Sequence, residues 1–178
     1  MKLALDVYYP TSDSSIAVGI LFDSWKDEEP IEIIRVKTVG ENAPYIPGRF
    51  SLRELPPNKS LLDEISDIVP RIDTYVVDGF VKLKGYDGSI WDGLGAELYK
   101  AVNGKDKPWI SVIGVAKTKF GLCSDICKTV YRGEATNPLW ISSMGNLDQN
   151  IAADYIKSMY GDYRIPKLLK LLDQETKK

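Results

Sequence analysis

Three stretches near the start of the chain are apolar and β-prone: Leu3-Ala4-Leu5-Asp6-Val7-Tyr8, Ile16 to Phe22, and Ile31 to Val39. The turns between them, Tyr9 to Asp13 and Asp23 to Pro30, are short and polar or charged, which predicts an antiparallel meander. The period then changes. From Ser60 to Val69 the apolar positions Leu61, Leu62, Ile65, Ile68 and Val69 fall on one face of a helix, with Ser60 as its N-cap. Thr74 to Asp78 reads as a short buried strand, and Gly79 lets the chain turn away at its carboxyl end, where open α/β sheets carry their sites. Lys82 to Asp92 is rich in Gly, Lys and Asp and reads as a loop. Leu94 to Val102 predicts a helix closed by Asn103-Gly104, and Trp109 to Val115 a strand. Cys123 to Tyr131 with Leu139 to Ser142 predicts a strand pair. Asp148 to Met159 and Lys167 to Leu172 predict two helices. This order is that of an α/β fold with a mixed sheet and helices on its faces. No repeat and no long linker divides the chain, so residues 1–178 read as one domain.

Composition narrows the chemistry more than the fold. With 178 residues, 44% hydrophobic and 27% charged, the chain can bury a sizeable core. It has no apolar run of about 18 residues and no charged-then-apolar leader, so neither a membrane span nor a signal peptide is expected, and a cytoplasmic location is. A net charge of −2 excludes a general basic field. Nucleic-acid binding would need a local basic patch, or a metal ion bridging carboxylates to phosphate. Cys123 and Cys127 cannot complete a four-ligand zinc site in a chain without histidine, and read as a reduced thiol pair. The absence of histidine also excludes Ser-His-Asp, Cys-His and histidine general-base chemistry. Carboxylates, lysine, tyrosine or a metal remain.

Asp6 and Asp78 each interrupt or end an apolar strand. A charge in such a place is costly unless it is paired or binds a cation. If the two strands lie side by side, their carboxylates meet and invite a hard cation such as Mg²⁺, which needs only one or two protein carboxylates. The plainer alternatives are a salt-bridged strand residue and a turn cap. Pro44-Tyr45-Ile46-Pro47-Gly48 is a rigid turn that presents an aromatic ring where loops usually present polar groups. An ordinary loop with a packed tyrosine has the same local pattern. Glu54 and Lys117 read locally as solvated charges, and Asp148 as the N-cap of the helix that follows it.

Pro44-Tyr45-Ile46-Pro47-Gly48, followed by Phe50, Arg53 and Glu54, resembles the wedge motif of endonuclease V, the family that nicks nucleic acid near deaminated adenine (inosine). Asp6-Val7-Tyr8-Tyr9, Val76-Val77-Asp78-Gly79, Ile113-Gly114-Val115-Ala116-Lys117 and Tyr163-Arg164-Ile165-Pro166 fall in the family's order. The resemblance runs through almost the whole chain, with gaps, and implies a ribonuclease H-like fold. It implies a Mg²⁺-dependent endonuclease, with Mn²⁺ as a substitute, that cuts DNA or RNA on the 3′ side of inosine and acts as a monomer. Asp6, Glu54 and Asp78 would then be metal ligands, and Lys117 would face the scissile phosphate. Tyr45, with Pro47 and Gly48, would be the wedge that stacks in place of a base, and Gly79 would border the pocket for an extruded base.

Two departures stand out. Phe80-Val81 occupies the place of the family's His-Gly and is followed by a longer loop. Gly145-Asn146 takes the place of the Gly-His expected before the penultimate helix. Asn146 can offer an oxygen to a cation but cannot act as a general base, and Asp148 is the other candidate for that role. These departures keep open an endonuclease V-like domain that binds nucleic acid with weakened or absent catalysis, and an α/β domain of unrelated role.

Overall fold

A computed structural model describes residues 1–103 and 105–178; Gly104, expected to close a helix with Asn103, lies outside them. The amino-terminal runs become β1 (Lys2–Thr11), β2 (Ser14–Phe22) and β3 (Glu32–Val39), paired antiparallel in the expected meander. β1 reaches further than its apolar run. It continues past Pro10 to a tight turn at Ser12-Asp13, and its register with β2 shifts between Tyr8 and Thr11, where Pro10 has no N–H for the ladder.

The next helix is α1 (Ser51–Glu64), which begins nine residues before the expected Ser60. Pro56 and Pro57 sit inside it, and a proline pair in sequence reads as a break. The strand β4 (Thr74–Asp78) is as expected. The predicted loop after it is instead a hairpin of β5 (Lys82–Lys84) and β6 (Ile90–Asp92), whose strands are too short to show an alternating pattern. Then come α2 (Leu94–Ala101), β7 (Ser111–Ala116), β8 (Lys128–Val130), β9 (Leu139–Gly145), α3 (Gln149–Ser158) and α4 (Lys167–Thr176). α4 runs one turn beyond Leu172 and buries Thr176 at its end.

The seven strands of the main sheet lie in the order β3-β2-β1-β4-β7-β9-β8. β1, β4 and β7 are parallel, and the outer strands are antiparallel to their neighbours. Alternation along each strand separates two cores. Leu3, Leu5, Tyr75 and Val77 pack with Leu61 of α1 and Leu98 of α2 on one face. Ala4, Val76 and Ile113 pack with Ile156 of α3 and Leu168 of α4 on the other. This is the mixed α/β sheet with helices on its faces that the pattern predicts. No helix among the described residues is long and apolar enough to cross a membrane. Cys123 and Cys127 are buried free thiols, and Cys127 Sγ donates to the Cys123 carbonyl at 2.7 Å.

Candidate functional site

The parallel pairing of β1 with β4 decides where the carboxylates meet. Leu5 stands opposite Val77, so Asp6 and Asp78 are the next residues on neighbouring strands. Both continue the alternation of Ala4 and Val76 and point to the α3/α4 face. Val115 of β7 stands opposite Asp78, and Lys117 follows on the same face. Its Nζ lies 2.6 Å from Asp78 Oδ2. Glu54 comes from the first turn of α1 and is 2% exposed.

These groups act on one another. Burial first, then the Asp78 carboxylate, pushes the Asp6 carboxyl up to about 6, against the Val7 N–H that donates to it at 2.8 Å. Burial, then Asp6 and Asp78, holds the Glu54 carboxyl well above the usual range. Burial works against the Lys117 ammonium, but the charges of Asp78 and Asp6 outweigh it and raise its pKa. A carboxylate cluster with raised proton affinity takes up a proton or a cation.

Every donor in this set is a hard oxygen, which fits Mg²⁺ or Mn²⁺. The fit is in chemistry, not yet in a closed shell. Among the described residues no three His, Cys, Asp or Glu side chains are grouped tightly enough to enclose an ion, and one Asp78 oxygen is engaged by Lys117.

Two supports were not foreseen. Pro57 has no N–H for the Arg53 carbonyl four residues back. Tyr9 Oη donates to that carbonyl at 2.7 Å instead, and the Arg53 guanidinium stacks 3.9 Å from the Tyr9 ring centre. The end of β1 thereby holds the turn of α1 that carries Glu54. Arg164 donates to the backbone carbonyls of Lys117, Asn137 and Pro138, which pins the peptide bearing the lysine. Ile165 lines the small apolar cavity under Asp6 and Asp78.

Beside the charged groups lies a cleft of about 490 Å³ bordered by Tyr45, Gly48, Asp78, Gly79, Phe80, Lys117 and Phe120. The predicted wedge thus stands at the mouth of the same cleft as Gly79. Tyr45 is 61% exposed, with Phe50 edge-on at 5.9 Å. The turn has a type II signature: Arg49 N donates to Ile46 O at 2.9 Å, Pro47 takes the second position and Gly48 the third with φ +77°. Gly114 of β7 leaves room for the backbone at Gly79, since a Cβ there would be 2.6 Å from the Gly79 carbonyl. On the other side of Lys117 a groove of about 940 Å³ is bordered by Tyr163, Arg164, Lys170 and Asp173.

Asn146 does not join this site. β9 runs antiparallel to β7, and Gly145 stands opposite Ser111, so Asn146 lies at the far end of the sheet, about 15 Å along the strands from the level of Asp78. It borders a separate hollow with Lys2, Trp25 and Trp109. Asp148 is there too and caps α3, accepting from Asn150 N at 2.7 Å. The carboxylate that approaches the site from the carboxyl-terminal part of the chain is Asp173 of α4. Its charge acts on both Asp6 and Lys117, and Lys177 pairs with it at 2.8 Å. Its only signal in the sequence is an acid directly after Leu172 on a helix whose apolar face packs against the sheet.

No family model matches the chain, and no curated protein matches it. Solved structures do. Endonuclease V of Ciona intestinalis, in complex with a 24mer DNA containing an inosine followed by a ribo-adenosine, superposes with a TM-score of 0.78 at 17% identity, over 99% of this chain and 83% of that one. The chain has the endonuclease V fold. The catalytic domain of human endonuclease V gives a TM-score of 0.70 at 19% identity, over 99% and 80% of the two chains. Endonuclease V of Bacillus subtilis gives 0.67 at 17%, over 99% and 78%. Within the endonuclease V fold of this chain, the acidic cluster lies at the carboxyl edge of the parallel strands, and the Pro44–Gly48 turn borders the cleft beside it.

Proposed function

We propose that the protein is a metal-dependent nuclease acting on inosine-containing DNA or RNA. The observation that carries this reading is the meeting of Asp6, Glu54, Asp78 and Lys117 at one strand edge, beside a cleft overhung by an exposed tyrosine. Asp6 and Asp78, with Glu54 behind them, would hold Mg²⁺ or Mn²⁺. When bound, the metal supplies Lewis-acid polarisation of water and of the scissile phosphate. Lys117 offers its ammonium to a phosphate oxygen and stabilises charge that develops there. Tyr45 stacks where a base has left, and the cleft beside Gly79 receives that base.

The Lys117–Asp78 ion pair supports a second reading, since the ammonium already neutralises one carboxylate where a cation would sit. Under that reading the domain binds inosine-containing strands and does not cut them. Labelled inosine-containing single strands, duplexes and RNA, incubated with Mg²⁺, Mn²⁺ or chelator, separate the two. Metal-dependent nicking near inosine is the expected result. Selective binding without nicking supports the second reading, and neither overturns both.

A further inference from the structure

The wedge turn is braced from outside itself. Its prolines fix its shape, but they do not fix where it stands over the cleft. That is settled by the hairpin that replaces the expected loop. Trp91 of β6 donates its Nε1–H to the Gly48 carbonyl at 2.6 Å, across 43 residues of chain. Its ring meets Phe120 edge-on at 5.9 Å and 88°. The two rings close on the glycine: a Cβ on Gly48 would stand 3.1 Å from Trp91 Cζ2 and 3.3 Å from Phe120 Cζ. The hairpin is in turn tied to the segment after Lys117, because Leu122 N donates to the Lys84 carbonyl at 3.0 Å. Wedge, hairpin and the Lys117–Leu122 segment are therefore joined by direct contacts.

We propose that Trp91 is the positioning residue for the wedge, and that through it the β5–β6 hairpin sets how well the protein discriminates an altered base from an ordinary one. The proposal rests on the nuclease reading above. A turn carrying a single ring stacks usefully only if that ring stands at the height of the vacated base. The Trp91 hydrogen bond acts on the peptide three residues from Tyr45. Trp91 borders the outer side of the turn with Ile90 and Leu52, and is not among the residues that border the cleft, so it acts through Tyr45 and not on the substrate.

Trp91→Phe keeps an aromatic ring and removes the donor. The loss of one hydrogen bond corresponds to about a fivefold change. Trp91→Phe should lower the preference for an inosine duplex over the matching adenine duplex by that factor, through KM more than kcat. A double-mutant cycle supplies the readout that a merely structural role would not move: with Tyr45→Ala in place, adding Trp91→Phe should cost no further discrimination. Gly85→Ala gives a second route: its methyl would stand 2.8 Å from Asp87 Oδ1 and 3.2 Å from Trp91 Cζ3, so the Asp87 side chain must turn aside and the indole shift by a few tenths of an ångström on the hairpin side. Equal losses on both duplexes, additivity with Tyr45→Ala, or full preference retained by both variants overturns the proposal alone. A wild-type protein with no preference for inosine in cleavage or binding overturns the nuclease reading and this proposal with it.

Discussion

Asp6 binds its proton more tightly in the folded chain than it would in an unfolded one. Burial, and then Asp78, raises its carboxyl from 3.8 to about 6. Such a group stabilises the fold fully below the unfolded value and loses that contribution as pH rises through about 6. At neutral pH the ionised form is a penalty of roughly 3 kcal/mol. Asp6→Asn is therefore expected to raise the melting temperature in chelator by several degrees at pH 8 and to change it little at pH 4. Mg²⁺ should raise the melting temperature of the wild-type protein and not of Asp6→Asn; melts at the two pH values, with and without metal, check both statements. Asp173 and Asn146 make a second test at this scale. Asp173→Asn is expected to lower kcat/KM on an inosine strand by about tenfold or more, because its charge reaches Asp6 and Lys117. Asn146→Ala, at the other end of the sheet, should leave it unchanged.

The elements most readable from sequence were those with a long uniform period. β1, β2, β4 and β7 appear close to where apolar runs place them, and α2 and α3 where apolar spacing does. α1 was legible only in its second half, because Pro56 and Pro57 stop a helix on local rules and a tertiary contact compensates here. That contact is testable. Tyr9→Phe removes the hydroxyl that serves the Arg53 carbonyl and should destabilise the chain by about 1 kcal/mol, which lowers the melting temperature by roughly 2–4 °C. Because Glu54 is the next residue, nicking should fall while Tyr45-dependent discrimination stays. Urea melts and cleavage assays on the same variant would show it; unchanged stability would mean that the Tyr9 hydroxyl is not what stabilises the proline-containing turn. The β5–β6 hairpin was not legible because its strands are three residues each, and what stabilises it, Trp91 on Gly48 and Leu122 on Lys84, comes from distant parts of the chain.

At the scale of the molecule, three parallel strands deliver Asp6, Asp78 and Lys117 to one edge, and a net charge of −2 gives the chain as a whole no general basic field. Affinity for nucleic acid should then come from few phosphate contacts. Binding to an inosine strand in chelator is expected to weaken with salt with a log–log slope smaller in magnitude than about 4, and to tighten when Mg²⁺ is added. Fluorescence titrations at several salt concentrations measure both, and a steep slope without metal would show a basic track instead. Strands β1, β2, β4 and β7, the faces of α2 and α3, the rigidity of the Pro44–Gly48 turn and the unusual placing of Asp6 and Asp78 were decided by sequence alone, because each depends on neighbours a few residues away. Spacing does not record which way a strand runs. Asn146 follows a strand and precedes a helix much as a site residue would, yet β9 is antiparallel and carries it to the opposite edge. Asp173 looks like any acid on an amphipathic helix until α4 docks across the sheet. Which carboxylates share one electric field was settled only by the parallel register of β1 and β4 and by that docking, since both join parts of the chain that no local pattern relates.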